Sequence, residues 1–248
     1  MPLPTDALIL AAGYGSRLAD VSPSKPLTPV CGVPLIEIGV RQAAAAGIAR
    51  IVVVTGHWAD ELEDFLGGLS LRLGLPIVTE RLADWSRPNG WSVLAGAGRI
   101  EGSYLLLMAD HLFEVEILSR LLREDHDDRA VTLAIDRRCD HPSLDPADAT
   151  WVRTGPQGRI AAIGKAIHPY DAVDCGAFLA TPELADAIAA AIAGGAPGSL
   201  SDGMQRLAEK GRAATMDVGE AWWLDVDDPR ALALAETQAP ERVAARAL

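Results

Sequence analysis

A glycine turn followed by an arginine comes directly after an apolar run near the start of the chain. Residues 8–18 read LILAAGYGSRL, so Gly13 and Gly15 end the run and Arg17 lies four residues after Gly13. Glycines let backbone N–H groups approach phosphate oxygens, and an arginine can grip a phosphate through two hydrogen bonds. The third glycine of a dinucleotide motif is missing, as is the G-K-[ST] ending of a P-loop. The pattern predicts a phosphate-binding turn, with an ordinary strand-to-loop turn as the alternative.

A second cation follows in a stretch that has no other charge. Lys25 is the single charged residue of residues 21–34, and Pro26 comes directly after it. The formal net charge of −12 gives the chain no general attraction for nucleic acid or anionic lipid. A polyanionic ligand such as a nucleotide therefore needs a local cationic cluster or a metal ion. Arg17 and Lys25 together predict that cluster, although a lone loop lysine is more often simply solvated.

Three carboxylates occupy positions where a metal could be held. Asp110 follows the apolar run at residues 104–108, at the end of a predicted strand, where open α/β sheets bind ligands. Asp225 and Asp227 alternate in WWLDVD and so share one face of a strand. Carboxylates from two such strands can converge on Mg²⁺ beside substrate phosphates. Alternatively, Asp110 is only a residue of the turn after the strand. Asp228, which precedes a proline, is interpreted as a helix cap.

These residues must be positioned by alternating strands and helices. Strands are predicted at residues 8–12, 51–55, 75–80, 104–108, 130–136, 151–153, 159–163, 173–180, 213–218 and 222–226. Helices are predicted at residues 34–46, 60–66, 92–99, 115–123, 181–193, 200–210 and 228–239, the second of them ending at Gly67 and Gly68. This order favours an α/β fold with a Rossmann-like, doubly wound, mostly parallel sheet in a single domain.

The amino-acid composition limits the classes of protein to which the chain can belong. Hydrophobic residues make up 49% of the 248, which is enough for a sizeable core. The three cysteines are odd in number and widely spaced, which disfavours a disulfide framework or a zinc site and fits a reducing compartment. The beginning of the sequence has no basic region before its short apolar run, and no run is long enough to span a membrane. We therefore expect a cytoplasmic protein that inserts into no membrane and binds no nucleic acid.

Taken together, the motifs resemble those of nucleotidyltransferases of the nucleoside-diphosphate-sugar pyrophosphorylase type. The match begins with residues 10–18, 25–27 and 30–36. Later segments are similar to the CTP:inositol-1-phosphate cytidylyltransferases, namely NGWSVL at 89–94, MADH at 108–111, AIGK at 162–165, VDCGAF at 173–178 and WLDVD at 223–227. The resemblance extends from residue 8 to about residue 234. It implies the nucleotide-diphospho-sugar transferase fold, with one domain over 1–248, a nucleotide-binding part at about 5–136 and an acceptor-binding part at about 137–227.

The resemblance also implies a reaction and its residues. CTP and inositol 1-phosphate would give CDP-inositol and pyrophosphate with Mg²⁺ as cofactor, for phosphoinositol lipids or solutes. Arg17 would hold the β- and γ-phosphates, Lys25 the α-phosphate, and Lys165 the acceptor phosphate, with Asp110 also among the catalytic residues. The nucleotide-binding set is Leu10, Ala11, Ala12, Gly13, Gly15, Ser16, Arg17, Asn89, Gly90 and Ser92, the acceptor-binding set is Lys165 and Asp174, and the metal set is Asp110, Asp225 and Asp227.

One departure from the family pattern and several alternatives accompany these expectations. Ser24 stands where many relatives have proline, which changes loop stiffness but not charge. The acceptor could be another phospho-alcohol such as phosphocholine, a phosphonate such as aminoethylphosphonate, or a sugar 1-phosphate. A non-catalytic nucleotide-binding regulator is a second alternative, and a Rossmann oxidoreductase is a third that the missing glycine disfavours. A homodimer is the candidate assembly.

Overall fold

The computed structural model describes residues 3–124, 128–141 and 143–243 of the chain. A nine-stranded mixed sheet with helices on both faces forms its centre. The strands are β1 (Asp6–Ala11), β2 (Pro29–Val30), β3 (Val33–Pro34), β4 (Arg50–Thr55), β5 (Ile77–Arg81), β6 (Tyr104–Met108), β7 (His111–Phe113), β8 (Val131–Asp136), β9 (Trp151–Thr154), β10 (Ile160–Gly164), β11 (Ala172–Ala180), β12 (Ala213–Asp217) and β13 (Trp223–Asp225). The helices are α1 (Leu35–Ala45), α2 (Ala59–Leu73), α3 (Gly90–Ala97), α4 (Val115–Leu121), α5 (Pro182–Ala193), α6 (Leu200–Glu209) and α7 (Pro229–Arg242).

Most strands of the large sheet run in one direction. β5, β4, β1 and β6 are successive parallel neighbours. β11 is antiparallel to β6 and to β8, whereas β12 is parallel to β8. β9 is antiparallel to β11, and β10 is antiparallel to β9. Within the described residues, β10 and β11 therefore run against the other seven strands, and the predicted mostly parallel α/β fold is confirmed.

The long strand β11 reaches past the end of β6. Residues from Ala177 to Ala180 pair with β6, whereas Ala172 and Val173 pair with β9. Since both stretches also pair with β8, β6 and β9 lie on the same side of β11. The β9–β10 hairpin therefore stands beyond the carboxyl end of β6, which is the edge where open α/β sheets bind ligands.

Alternate residues of β1 enter two hydrophobic cores on opposite faces of the sheet. Ile9 packs in the core that contains Ile36 of α1 and Leu66 of α2. Leu8 packs in the core that contains Val93 of α3. Each fully buried aliphatic side chain stabilises the fold by about 1.5–3 kcal/mol, so helices are held against both faces. This is the doubly wound arrangement predicted for the sheet.

Some local features differ from the predictions, among them the short strands β2 and β3, which were not predicted. The helix predicted to end at Gly67 and Gly68 continues through both glycines to Leu73, because Leu66 and Leu69 on one face are fully buried. That burial outweighs the cost of about 1 kcal/mol for each glycine inside a helix. Strand β7 was not predicted, since it has three residues and gains its partner only in β13, far along the chain.

No helix among residues 3–124, 128–141 and 143–243 is long and apolar enough to cross a membrane.

Candidate functional site

The glycine turn of the sequence leads from β1 into a short 3-10 turn at Ser16–Leu18. Gly15 has φ +63, and a Cβ atom there would lie 2.4 Å from the Cβ atom of Lys25. A side chain at position 15 would therefore be strained and would also displace the lysine. The stem of Lys25, which is 8% exposed, packs over this glycine and carries its ammonium group into the site.

A third hydrophobic core fastens the cationic turn to the acidic strands. Leu18, Leu112 and Leu224 are buried together in this core. Each is a chain neighbour of a predicted site residue or of His111, since Leu18 follows Arg17 and Leu224 precedes Asp225. Packing of the apolar neighbours therefore sets the positions of the charged side chains.

The predicted cations are brought together with the predicted carboxylates. Lys25 Nζ donates a hydrogen bond of 2.5 Å to Asp110 Oδ2 and another to Asp227 Oδ1. Arg17 Nη2 donates to Asp227 Oδ2 and, at 2.5 Å, to Asp148 Oδ2. Both oxygens of Asp227 are thus occupied by cations. The arrangement is a compact cluster of alternating charges at the carboxyl end of β1 and β6.

The short strands β7 and β13 bring Asp110 and Asp225 to the same place. The pair is antiparallel, with Asp225 opposite His111, and Val226 donates its backbone N–H to the carbonyl oxygen of Asp110 at 2.9 Å. Two carboxylates separated by more than a hundred residues therefore meet at one edge, as the sequence pattern predicted.

Protonation in this cluster follows from burial and neighbouring charges. Burial alone would raise the pKa of Asp110, but the charge of Lys25 and the hydrogen bond from His111 hold that pKa well below its usual range. Burial lowers the pKa of His111, yet the charges of Asp225 and Asp110 outweigh it and raise the pKa to about 9. His111 is therefore a cation at neutral pH and donates from Nδ1 to Asp110 Oδ1 at 2.7 Å.

Asp225 differs from its neighbours because its charge is poorly compensated. Its Oδ1 atom is buried and accepts no hydrogen bond from the described residues. The Nδ1 atom of His111 lies 3.7 Å from this oxygen. Burial raises the pKa of Asp225, against the attraction of His111. A buried carboxylate oxygen without a donor is costly, and a bound cation is the partner that would relieve it.

Acidic groups that could hold a metal ion are present among the described residues. Asp148, Asp225 and Asp227 each offer an oxygen, and these atoms lie within 4.8 Å of one another. Asp110, His111 and Asp225 form a second such group. In this second group the Nδ1 atom of His111 is hydrogen-bonded to Asp110, and the two carboxylates offer the oxygen ligands that a hard cation prefers. Asp225 belongs to both groups, and its unpartnered oxygen makes the residues present fit a hard divalent cation such as Mg²⁺.

Two adjoining cavities open at this edge, with volumes of about 480 Å³ and about 240 Å³. Both are lined by Leu10, Gly13, Arg17, Asp110 and Asp227. The other predicted residues that line one cavity or the other are Ala11, Ala12, Gly15, Ser16, Lys25, Asn89, Ser92, Lys165, Asp174 and Asp225. Gly90 lines neither cavity, and its backbone instead packs so closely that a Cβ atom would lie 2.4 Å from the carbonyl oxygen of Gly198.

The predicted acceptor residues line the larger cavity from the β9–β10–β11 side. Lys165 follows β10, is 61% exposed at its side chain, and donates to Asp148 Oδ1. Asp174 lies at an irregularity of β11, where its Oδ1 atom accepts the backbone N–H of Gly176 at 2.7 Å. Burial raises the pKa of Asp174 to about 6. A cationic side chain and a carboxyl group thus share this wall.

Two groups of cavity residues were missed by the sequence analysis. Asp148 contacts both Arg17 and Lys165, and Asp145 lies 3.7 Å from Arg17. Their segment is polar and irregular, so no periodicity signalled that it folds over the site. Trp85 and Arg87 line the larger cavity from the loop after β5. The only available signal was a tryptophan in a loop of a chain with few aromatic residues.

The chain is similar to a protein family and to several known proteins. A family model described as a MobA-like NTP transferase domain matches residues 7–191. Over 233 residues the chain is 37% identical to a bifunctional IPC transferase and DIPP synthase of Rubrobacter xylanophilus, a match that covers 93% of this chain and 51% of the relative. The chain therefore spans about half the length of that relative.

Two further similarities concern a shorter match and the fold. Over 122 residues the chain is 34% identical to the CMP-5'-(3-aminopropyl)phosphonate synthase of Streptomyces rubellomurinus, which covers 48% of this chain and 19% of that protein. The structure of the inositol-1-phosphate CTP transferase from T. maritima superposes with a TM-score of 0.84 at 23% identity, covering 98% of this chain and 99% of that chain. This superposition shows that the two proteins share a fold.

Proposed function

We propose that this chain, which belongs to the family of MobA-like NTP transferase domains, transfers the cytidylyl group of CTP to inositol 1-phosphate. The products are CDP-inositol and pyrophosphate, for phosphoinositol lipids or solutes. The observation that carries the proposal is the junction of two cavities at Arg17 and Asp110, with Lys25 between two carboxylates. The acceptor is inferred from the similarity to an inositol-1-phosphate CTP transferase and from the position of Lys165 and Asp174 in one wall of the cavity.

The reaction needs no strong protein base because the acceptor phosphate oxygen is already a nucleophile. That oxygen forms a bond to the α-phosphorus of CTP, and the bond from the α-phosphorus to the bridging oxygen of the β-phosphate breaks. Pyrophosphate leaves with the electron pair of that bond. Lys25 neutralises the charge that develops on the α-phosphate, and Arg17 holds the departing β- and γ-phosphates. Catalysis is then a matter of alignment and charge neutralisation.

The proposed cofactor is Mg²⁺, held by Asp110 and Asp225, with Asp227 as the third predicted ligand. When bound, the ion supplies positive charge to the phosphate oxygens. Because Asp227 pairs with Arg17 and Lys25 in the described structure, its part in metal binding requires those cations to turn to the phosphates. The three free cysteines support a reducing, cytoplasmic location.

A phosphonate acceptor is the second candidate. The similarity to a CMP-aminopropylphosphonate synthase favours it. The same cavity and the same cations would serve an alkylphosphonate, since a phosphonate offers the same charged oxygens to Lys165. Phosphocholine, a sugar 1-phosphate and a regulator without catalysis are the remaining alternatives.

A substrate matrix tests the proposal. Pyrophosphate release is measured for each of the four nucleoside triphosphates with inositol 1-phosphate, aminoethylphosphonate, phosphocholine and glucose 1-phosphate. We expect CTP with inositol 1-phosphate to give the highest kcat/KM. A higher kcat/KM with the phosphonate would support the second candidate acceptor. If no pair of substrates releases pyrophosphate, the proposed cytidylyltransferase activity is refuted. Asp110→Asn should lose pyrophosphate release, and near-wild-type turnover in this variant would contradict the metal site.

A further inference from the structure

An exposed aromatic cluster adjoins the nucleotide turn and has no part in the reaction as described so far. The rings of Tyr14 and Trp85 lie 6.0 Å apart at an interplanar angle of 25°. The ring of His57 makes edge-to-face contacts with both rings, at centroid distances of 4.6 Å from Tyr14 and 5.0 Å from Trp85. Tyr14 is 49% exposed and Trp85 is 39% exposed. The chain has only three tyrosines and six tryptophans, and one of each is exposed side by side in this cluster.

The cluster is braced against the nucleotide turn by the backbone. The N–H of His57 donates to the carbonyl oxygen of Ala12 at 3.0 Å. A Cβ atom at Gly56 would lie 2.7 Å from that carbonyl oxygen and 2.7 Å from the Cβ atom of Trp85. Gly56, which directly follows β4, thus packs between the turn at Ala12 and Trp85 in the loop after β5, as closely as a glycine permits. Trp85 is held at a fixed place relative to Ala12 and Tyr14.

Trp85 also faces a cavity of suitable chemistry. It lines the 480 Å³ cavity together with Leu10, Asn89 and Ser92, while Arg17 and Lys25 mark the phosphate end at the junction with the smaller cavity. If the phosphates of a nucleotide contact those cations, its base and ribose lie along the remaining wall of the larger cavity. An open indole face is the group that a planar heteroaromatic base contacts most favourably.

We propose that the indole of Trp85 is the surface on which the base of the bound nucleotide stacks, with Tyr14 and His57 holding it in position. This rests on the proposed function to the extent that the ligand is a nucleoside triphosphate. Because every base has an aromatic face, stacking adds affinity without choosing between bases. Trp85 therefore strengthens binding of all four nucleotides by a similar factor, and the choice of CTP is made by the polar groups of the cavity.

Equilibrium binding separates stacking from a structural role. Dissociation constants for CTP and for inorganic tripolyphosphate, which has the phosphates but no base, are measured calorimetrically with Mg²⁺ for the wild type, Trp85→Ala and Trp85→Phe. We expect Trp85→Ala to weaken CTP binding between about 5-fold and about 100-fold. Tripolyphosphate affinity should be unchanged, and Trp85→Phe should recover most of the loss. The ratio of CTP to UTP affinity should stay constant.

Trp58→Ala is the matched control, since Trp58 is 42% exposed, contacts His57 and does not line either cavity. It should bind both ligands as the wild type does. Unchanged CTP affinity in Trp85→Ala, or an equal loss for tripolyphosphate, overturns the inference. If the wild type prefers another nucleoside triphosphate, the cytidylyltransferase assignment fails, but the same comparison made with that nucleotide still decides whether Trp85 stacks.

Discussion

Replacement of Asp225 by asparagine tests the metal site without relying on turnover. The Oδ1 atom of Asp225 is buried and has no hydrogen-bond donor among the described residues, which destabilises the metal-free protein, whereas its attraction to His111 at 3.7 Å stabilises it. The side chain as a whole is 36% exposed, so each effect amounts to about 1 kcal/mol. Because the two effects have opposite signs, the free energy of unfolding of Asp225→Asn should lie within about 1 kcal/mol of that of the wild type when no metal is present.

The response to Mg²⁺ should differ clearly. At a concentration of about 100 times its dissociation constant, a ligand that binds the folded state stabilises it by about 2.7 kcal/mol. For a chain of this size, that free energy corresponds to a rise in Tm of about 5–10 °C. We expect this rise in the wild type and almost none in Asp225→Asn, measured by scanning calorimetry with and without MgCl2. Pyrophosphate release should be lost in parallel.

Asp228→Asn is the matched control for this experiment. Asp228 lines the same cavity three residues away, but its Oδ1 atom caps α7 by accepting the N–H of Ala231 at 2.7 Å. Asparagine caps helices as well as aspartate does, so this variant should keep both its stability and the full response to Mg²⁺. An equal Mg²⁺-induced rise in Asp225→Asn and in the wild type would refute the assignment of Asp225 as a metal ligand.

Three further variants address other parts of the molecule. Lys165→Gln should raise KM for inositol 1-phosphate about tenfold or more at unchanged CTP affinity, since its exposed ammonium group is assigned to the acceptor; an effect on CTP binding alone would contradict this. Asp148→Asn removes a carboxylate that occupies Arg17 and Lys165, so KM for the acceptor should fall a few-fold, and a rise would assign Asp148 to substrate or metal binding instead. Burial raises the pKa of Asp136, but hydrogen bonds from Arg138 and Trp223 outweigh it and lower that pKa. The native state therefore binds this proton less readily than the unfolded chain, and Asp136 contributes stability that is present above about pH 4 and is lost at lower pH. Urea unfolding between pH 5 and pH 2.5 should show that the free energy of unfolding falls less steeply with pH in Asp136→Asn than in the wild type. An equally steep fall in both proteins would show that Asp136 does not contribute to this pH dependence.

The parts of the site that lie beside regular strands could be predicted from the sequence. The glycine turn after β1 and Asp110 after β6 are fixed by local chemistry, since parallel strands present their carboxyl ends at one edge. The alternation of Asp225 and Asp227 predicted that both lie on one strand, whereas β13 ends at Asp225 and Asp227 lies just past it. These predictions needed only the period of a strand and the end at which a ligand is bound.

Residues whose placement depends on distant pairing could not be predicted. Asp148 meets Arg17 across 131 positions of sequence because β9 pairs with the first two residues of β11. Nothing in the irregular segment before β9 encodes that contact locally. The ion pairs of Asp227 with Arg17 and Lys25 were not predicted for the same reason, since they too join segments that are distant in sequence. The homodimer stays a prediction, as do the roles given to individual residues.

The occupied cations explain how an acidic chain can bind a polyanion selectively. Arg17, Lys25 and Lys165 each already contact a carboxylate of the protein. Binding of a triphosphate must therefore exchange one anion for another, and such an exchange gives little net electrostatic gain, because the released carboxylate loses its partner. Favourable binding then requires a contribution that other phosphates lack. A divalent cation that neutralises the released carboxylates is one such contribution, and stacking of a base on Trp85 is another. Inorganic phosphates and nucleic acid backbones offer at most one of these two contributions, so the salt bridges of Arg17, Lys25 and Lys165 favour a metal-bound nucleotide over other polyanions.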